Sequence, residues 1–181
     1  MLKAMNKLKF LTLLCGLLLL TAFVRTREKT TVSKVETILT GKVNVTDPPS
    51  MQMYNYIEMY SDSFNIPKRY AYGIANAETS YKGPFHFNYN PHQTSCAGAV
   101  GPMQVMPSTA RGLNKDSCTM EKLKNDIEYN VYTSMKLLRK LHDRYGDWKT
   151  VFGCYNTGRP CINGYAEKVY NYDFDWKTVE I

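Results

Sequence analysis

Apolar residues recur with a helical period along this chain from Ser50 onward. Met53, Tyr56, Ile57, Tyr60 and Phe64 fall on one face of a first helix, and Pro67 opens the next in its first turn. In that second helix Ala71, Ile74, Ala75 and Glu78 repeat at i, i+3, i+4 and i+7, so a carboxylate shares the apolar face near the helix C-terminus. A longer stripe of Ile127, Val131, Met135, Leu138 and Leu141 predicts a third helix that stops at Tyr145-Gly146. Asp147 can cap a following helix with Trp148, Val151, Phe152 and Tyr155 inward, and Tyr165, Val169 and Tyr172 suggest a short last one. Between Ser95 and Pro102 the periodicity gives way to a glycine-rich crossing. The pattern predicts a mainly α-helical domain over residues 49–181.

The N-terminal part reads differently. Lys3, Lys7 and Lys9 precede an apolar run from Phe10 to Val24 with no acidic residue, the layout of an export signal. Leu20-Thr21-Ala22 offers a cleavage site, so residues 1–24 read as a signal peptide, with an uncleaved signal anchor as the alternative. At about 1.5 Å per residue the run is short for a bilayer span, which favours cleavage. Cys15 sits behind Leu14, where lipid attachment wants a small residue, and reads as packing within the run. Residues 25–48 are polar, rich in threonine and lysine, and end at Asp47-Pro48-Pro49. They read as a tether with at most a short strand.

Export changes what the cysteines mean. Cys96, Cys118, Cys154 and Cys161 are an even set in an oxidising compartment, so they are disulfide candidates, and three pairings are open. Sequence separation favours Cys96 with Cys118 and Cys154 with Cys161. His86, His92 and Cys96 match no zinc spacing, so neither a metal nor a cofactor is expected. The formal charge of +7 falls to +4 when the three leader lysines are removed. That suits an anionic envelope partner. No dense basic cluster points to nucleic acid, and the membrane enters only through an uncleaved N-terminal segment. Fourteen tyrosines suit sugar faces, although for any single ring half-burial in a helical domain is the simpler reading.

Three motifs carry the chemistry. Glu78 closes Ile74-Ala75-Asn76-Ala77-Glu78. Next comes Ser95-x-x-Gly98-Ala99-x-Gly101-x-Met103-Gln104-x-x-Pro107, and then Tyr155-Asn156-x-Gly158. A glutamate on an apolar face is costly to ionise, so its pKa rises, and the helix C-terminus pushes the same way. Such a group can deliver a proton to a leaving oxygen. In this order the motifs resemble the catalytic domain of the lytic transglycosylases, of the lysozyme-like superfamily, over Ala71 to Val169.

The resemblance implies a lysozyme-like fold with a cleft, and cleavage of the MurNAc-β-1,4-GlcNAc bond of peptidoglycan. It makes Glu78 the catalytic acid. Ser95, Met103, Gln104 and Asn156 become cleft residues, and Tyr155 the tyrosine that contacts and orients the glutamate. Thr79 stands where serine is usual and Pro102 where leucine is common. The stretch from Tyr81 to Thr94 is longer than usual, and Phe85, Phe87 and Tyr89 are expected to build an unusual cleft wall.

One absence favours a mechanism. From Thr79 to Lys115 there is no aspartate or glutamate. Paired-carboxylate glycosidases need a second acid nearby, and only Asp116 or Asp126 could approach through folding. The resemblance supplies another route, in which the substrate's N-acetyl group and C6 hydroxyl close a 1,6-anhydromuramyl end without water. A hydrolytic lysozyme and a non-catalytic wall-binding component are the alternatives. The setting implied is the periplasm or envelope of a bacterium, with wall turnover and clearance for a secretion or conjugation machine equally compatible.

Overall fold

The computed structural model describes residues 43–115 and 118–173. The expected leader (1–24), most of the tether (25–48) and Asp116 lie outside them. Seven helices follow in order: α1 Pro49–Ser63, α2 Lys68–Thr79, α3 Pro107–Asn114, α4 Met120–Asn125, α5 Ile127–Tyr145, α6 Trp148–Thr157 and α7 Gly164–Tyr170. No helix among the described residues is long and apolar enough to cross a membrane.

Helix starts follow local chemistry. The side chains of Thr119, Asp126, Asp147 and Asn163 accept the backbone N–H three residues on, at α4, α5, α6 and α7 respectively. Each such cap is worth about 1 kcal/mol. Helix α5 ends on Gly146, as its sequence predicts, and α2 ends on Ser80 in the left-handed conformation at φ 57°.

The long helix α5 is the spine. It packs against α1, α3, α4 and α6, while α7 lies on α2 and α6. Met53, Ile57, Ile74, Val131, Met135, Leu138 and Phe152 are fully buried where these faces meet. Leu141, the last member of the predicted stripe, is only half-buried, because the C-terminal end of α5 projects past the core. Tyr81 is also fully buried, and its hydroxyl donates to Ser50 O at 2.8 Å, tying the segment after α2 to the start of α1.

The glycine-rich crossing is held between α2 and α5. Val100 bridges antiparallel to both Thr94 and Val105, so the segment forms isolated bridges rather than a strand. Asn130, fully buried on α5, is its anchor. Its Nδ2 donates to Val100 O (2.9 Å) and Leu123 O (2.8 Å), and its Oδ1 accepts from Met103 N at 2.9 Å. Gly101 has φ +79°, and a Cβ there would stand 2.3 Å from Asn130 Nδ2. Only glycine lets the amide reach through.

The four disulfide candidates are not joined in the structure. Cys96, Cys118, Cys154 and Cys161 are all free thiols. Cys161 Sγ lies 3.6 Å from Thr157 Oγ1 and packs at Gly153, on one side of α6. Cys154, one position along from Gly153, instead faces a groove toward α3 and α5. Cys96 is exposed on its loop, whereas Cys118 is buried with its thiol directed at Thr119 O.

Candidate active site

Glu78 occupies the last turn of α2, on the face that buries Ala71, Ile74 and Ala75. The carboxylate itself is half-buried. Its pKa is raised above the usual glutamate value, chiefly by burial; a hydrogen bond from Tyr165 and the charge of Lys168 oppose the rise. Among the described residues no carboxylate contributes to that shift. Asp126 is exposed and spends its Oδ1 on the α5 cap, accepting from Tyr129 N at 2.9 Å.

The hydroxyl of Tyr165, from the first turn of α7, donates to Glu78 Oε1 at 2.6 Å. Tyr155 plays a different part from the one expected. Its hydroxyl donates to Met103 O at 2.7 Å and shares a hydrogen bond with Ser134 Oγ at 2.9 Å. It remains close enough to Glu78 for the carboxylate's charge to raise its pKa, after the larger effect of burial. Tyr165 is pushed up in the same way. Both phenols therefore stay protonated, Tyr165 as a donor to the acid and Tyr155 as a strut for the glycine-rich turn.

Two backbone crossings bring these groups together. Thr79, buried beside Glu78, donates to Pro102 O at 2.8 Å and lies 2.8 Å from Tyr89 Oη, pinning the end of α2 to the turn. Residue 161 crosses α6 at Gly153, where an added Cβ would sit 1.8 Å from Cys161 O. That close approach leads the chain into Asn163, whose side chain caps α7 and so sets Tyr165 over Glu78.

The other expected cleft residues fall in distinct places. Ser95 Oγ accepts from Ala99 N at 3.0 Å and shapes the loop. Gln104, with φ +49°, donates its amide to Gly101 O (2.8 Å) and Gln93 O (3.2 Å). Met103 has a fully buried side chain, so its carbonyl rather than its thioether reaches the Tyr155 cluster. Asn156 is exposed, accepts from Asn163 Nδ2 at 3.2 Å, and borders the groove between α3, α5 and α6. The three aromatics expected in a cleft wall differ in exposure. Phe87 is 54% exposed beside Phe85, but Tyr89 is buried edge-on to Tyr81 and serves as a pin.

The helical domain that carries this site matches solved folds. It resembles the 70-kDa soluble lytic transglycosylase Slt70 of Escherichia coli, with a TM-score of 0.51 and 22% identity, over 67% of this chain and 20% of that one. The same protein in complex with bulgecin A matches equally. The fold is thus the lysozyme-like one. The pattern of the Transglycosylase SLT domain matches residues 55–177, and the chain belongs to that family. A transglycosylase of Enterobacteria phage PRD1 is 33% identical over 109 residues, which are 60% of this chain and 36% of the phage protein. Membrane-bound lytic murein transglycosylase D of Escherichia coli K12 is 28% identical over 71 residues, 39% of this chain and 16% of that protein. The chain therefore spans about a third or less of the length of these curated relatives.

Proposed function

We propose that the protein is a peptidoglycan lytic transglycosylase that cleaves the MurNAc-β-1,4-GlcNAc bond and leaves a 1,6-anhydromuramyl end. The observation that carries this reading is Glu78 itself: a carboxyl raised by burial, held at one oxygen by Tyr165, with no carboxylate among the groups that shift it. Tyr165 engages Oε1, which leaves Oε2 to carry the proton toward the substrate. The protonated acid protonates the glycosidic oxygen as the C1–O bond breaks, and the substrate's acetamido oxygen shields the positive C1. The resulting Glu78 carboxylate then takes the proton of the C6 hydroxyl while O6 bonds to C1. One bond breaks, one forms, and the acid is restored without water.

Family membership supports the substrate class, and among the described residues no second acid contributes to the Glu78 shift, which favours this route over hydrolysis. The export reading of the sequence supports work in the bacterial envelope, where wall turnover and local clearance for a secretion or conjugation machine are equally compatible.

The test is digestion of purified peptidoglycan followed by mass spectrometry of the products. Anhydro ends lie one water below reducing ends. Reducing ends alone would establish a lysozyme, and no released fragments at all would establish a wall-binding component.

A further inference from the structure

We propose that Tyr89 is a positioning residue for the Glu78 acid, acting through the hydroxyl of Thr79. The inference rests on the glycan-cleaving reading above and extends it to a segment, residues 80–94, that contains no helix. Glu78 stands in the last turn of α2, and Thr79 closes that helix. The final carbonyls of a helix have no intrahelical partners, so its end frays unless side chains hold it. A proton donor on a loose end loses its aim, and a misplacement of about 1 Å can cost about 10²-fold in rate.

Proton counting fixes the direction of the bond. Thr79 Oγ1 lies 2.8 Å from Pro102 O, 3.2 Å from Ala75 O and 2.8 Å from Tyr89 Oη. It carries one proton, and both carbonyls can only accept. The proton goes to Pro102 O, the nearer carbonyl, so the phenol of Tyr89 must donate to Thr79. The donors therefore run in series from Tyr89 through Thr79 to the glycine-rich turn. From another element Tyr155 donates to Met103 O at 2.7 Å, so hydroxyls hold two successive carbonyls of that turn. Any swing of Thr79 carries Glu78, its chain neighbour, with it.

Tyr89 is itself fixed from α1. Its buried ring stands edge-on to Tyr81 at 5.0 Å, and Tyr81, Tyr72 and Tyr54 continue the series at 6.3 and 6.0 Å. The hydroxyls of Tyr81 and Tyr72 donate to Ser50 O at 2.8 Å and Glu58 Oε1 at 2.7 Å, both on α1. Ser50 Oγ also donates to Pro84 O at 2.9 Å, which fastens the backbone of the same segment. The bearing of the acid is set from the adjacent helix, across a segment with no helix of its own.

The test is Tyr89→Phe, which keeps the ring and removes only the hydroxyl. On soluble peptidoglycan strands, at a temperature where circular dichroism shows every variant folded, kcat should fall about three- to tenfold. That is the rate equivalent of one neutral hydrogen bond. KM should stay unchanged, because the buried hydroxyl meets no substrate. Thr79→Val removes the relay, so adding Tyr89→Phe to it should cost nothing more. In a Thr79→Ser background, which keeps a hydroxyl, Tyr89→Phe should cost the full factor again. If Thr79→Val does not fold, Thr79→Ala takes its place. Wild-type kcat in Tyr89→Phe, a loss that resides in KM, or losses that multiply in the double variant overturn the inference. Failure of wild type to cleave the strands, or full activity in Glu78→Gln, overturns instead the reading on which it rests.

Discussion

Glu78 loses its proton later than an ordinary glutamate, and the sign of that shift gives two separate expectations. Burial holds its folded pKa above the unfolded value. The folded state therefore binds this proton more tightly, and the stability so gained is complete at low pH. It is lost as pH rises through the raised pKa. Glu78→Gln removes the ionisation and keeps the size, so the variant should melt at or above the wild-type temperature at neutral pH, with the gap closing in acid. Thermal melts at the two pH values check this. The same variant should lose activity on peptidoglycan by about 10²-fold or more, the share of a general acid. More than about a tenth of wild-type activity would remove Glu78 from the mechanism. Tyr165→Phe works on the acid in the opposite sense. Its hydrogen bond favours the carboxylate, so its loss raises the pKa of Glu78 further, and the alkaline limb of the kcat/KM profile should move to higher pH. A profile of lower amplitude with an unmoved limb would make Tyr165 a packing residue only.

Elements meet at this site through a few backbone contacts that large substitutions cannot spare. Asn130→Ala would strand Val100 O, Leu123 O and Met103 N, all in the interior, at about 1–3 kcal/mol apiece when unpaired. We expect a loss of about 3 kcal/mol or more in denaturant unfolding, together with loss of glycan cleavage as the turn comes away from α5. Gly153→Ala puts a Cβ into the Cys161 carbonyl and should cost about 3 kcal/mol or more, because both partners are backbone. Such contacts explain what was legible beforehand. The stripes of α1, α2, α5 and α6 could be read because each repeats an apolar residue every turn. Helices α3 and α4 could not, since each buries a single side chain, Ala110 and Leu123. Glu78 was legible from its face, whereas Tyr165 looked like one more inward tyrosine. Its position at the N-terminus of α7, behind an asparagine cap, was the available signal, and its partner lies 87 residues away. Asn130 was hidden because a polar residue inside an apolar stripe reads as an interruption until the carbonyls it serves are known.

Among the described residues no cross-link joins one helix to another. All four described cysteines are free, so reductant should leave the melting temperature unchanged, and thiol titration in denaturant should find at least these four reactive. A drop of several degrees on reduction would restore the disulfide expectation. Packing in place of covalent bridging puts the domain at the mercy of its last helix, which also supplies the phenol over Glu78. Synthesis runs from the N-terminus at about 5–20 residues per second, so the 87 residues from Glu78 to Tyr165 take roughly 4 to 17 s. Throughout that interval a nascent chain carries its acid without the partner that orients it. Under the proposed function, a chain that stops before Tyr165 lacks both α7 and the hydroxyl held against Glu78 Oε1, so premature termination there should yield a harmless fragment rather than an unregulated lysin.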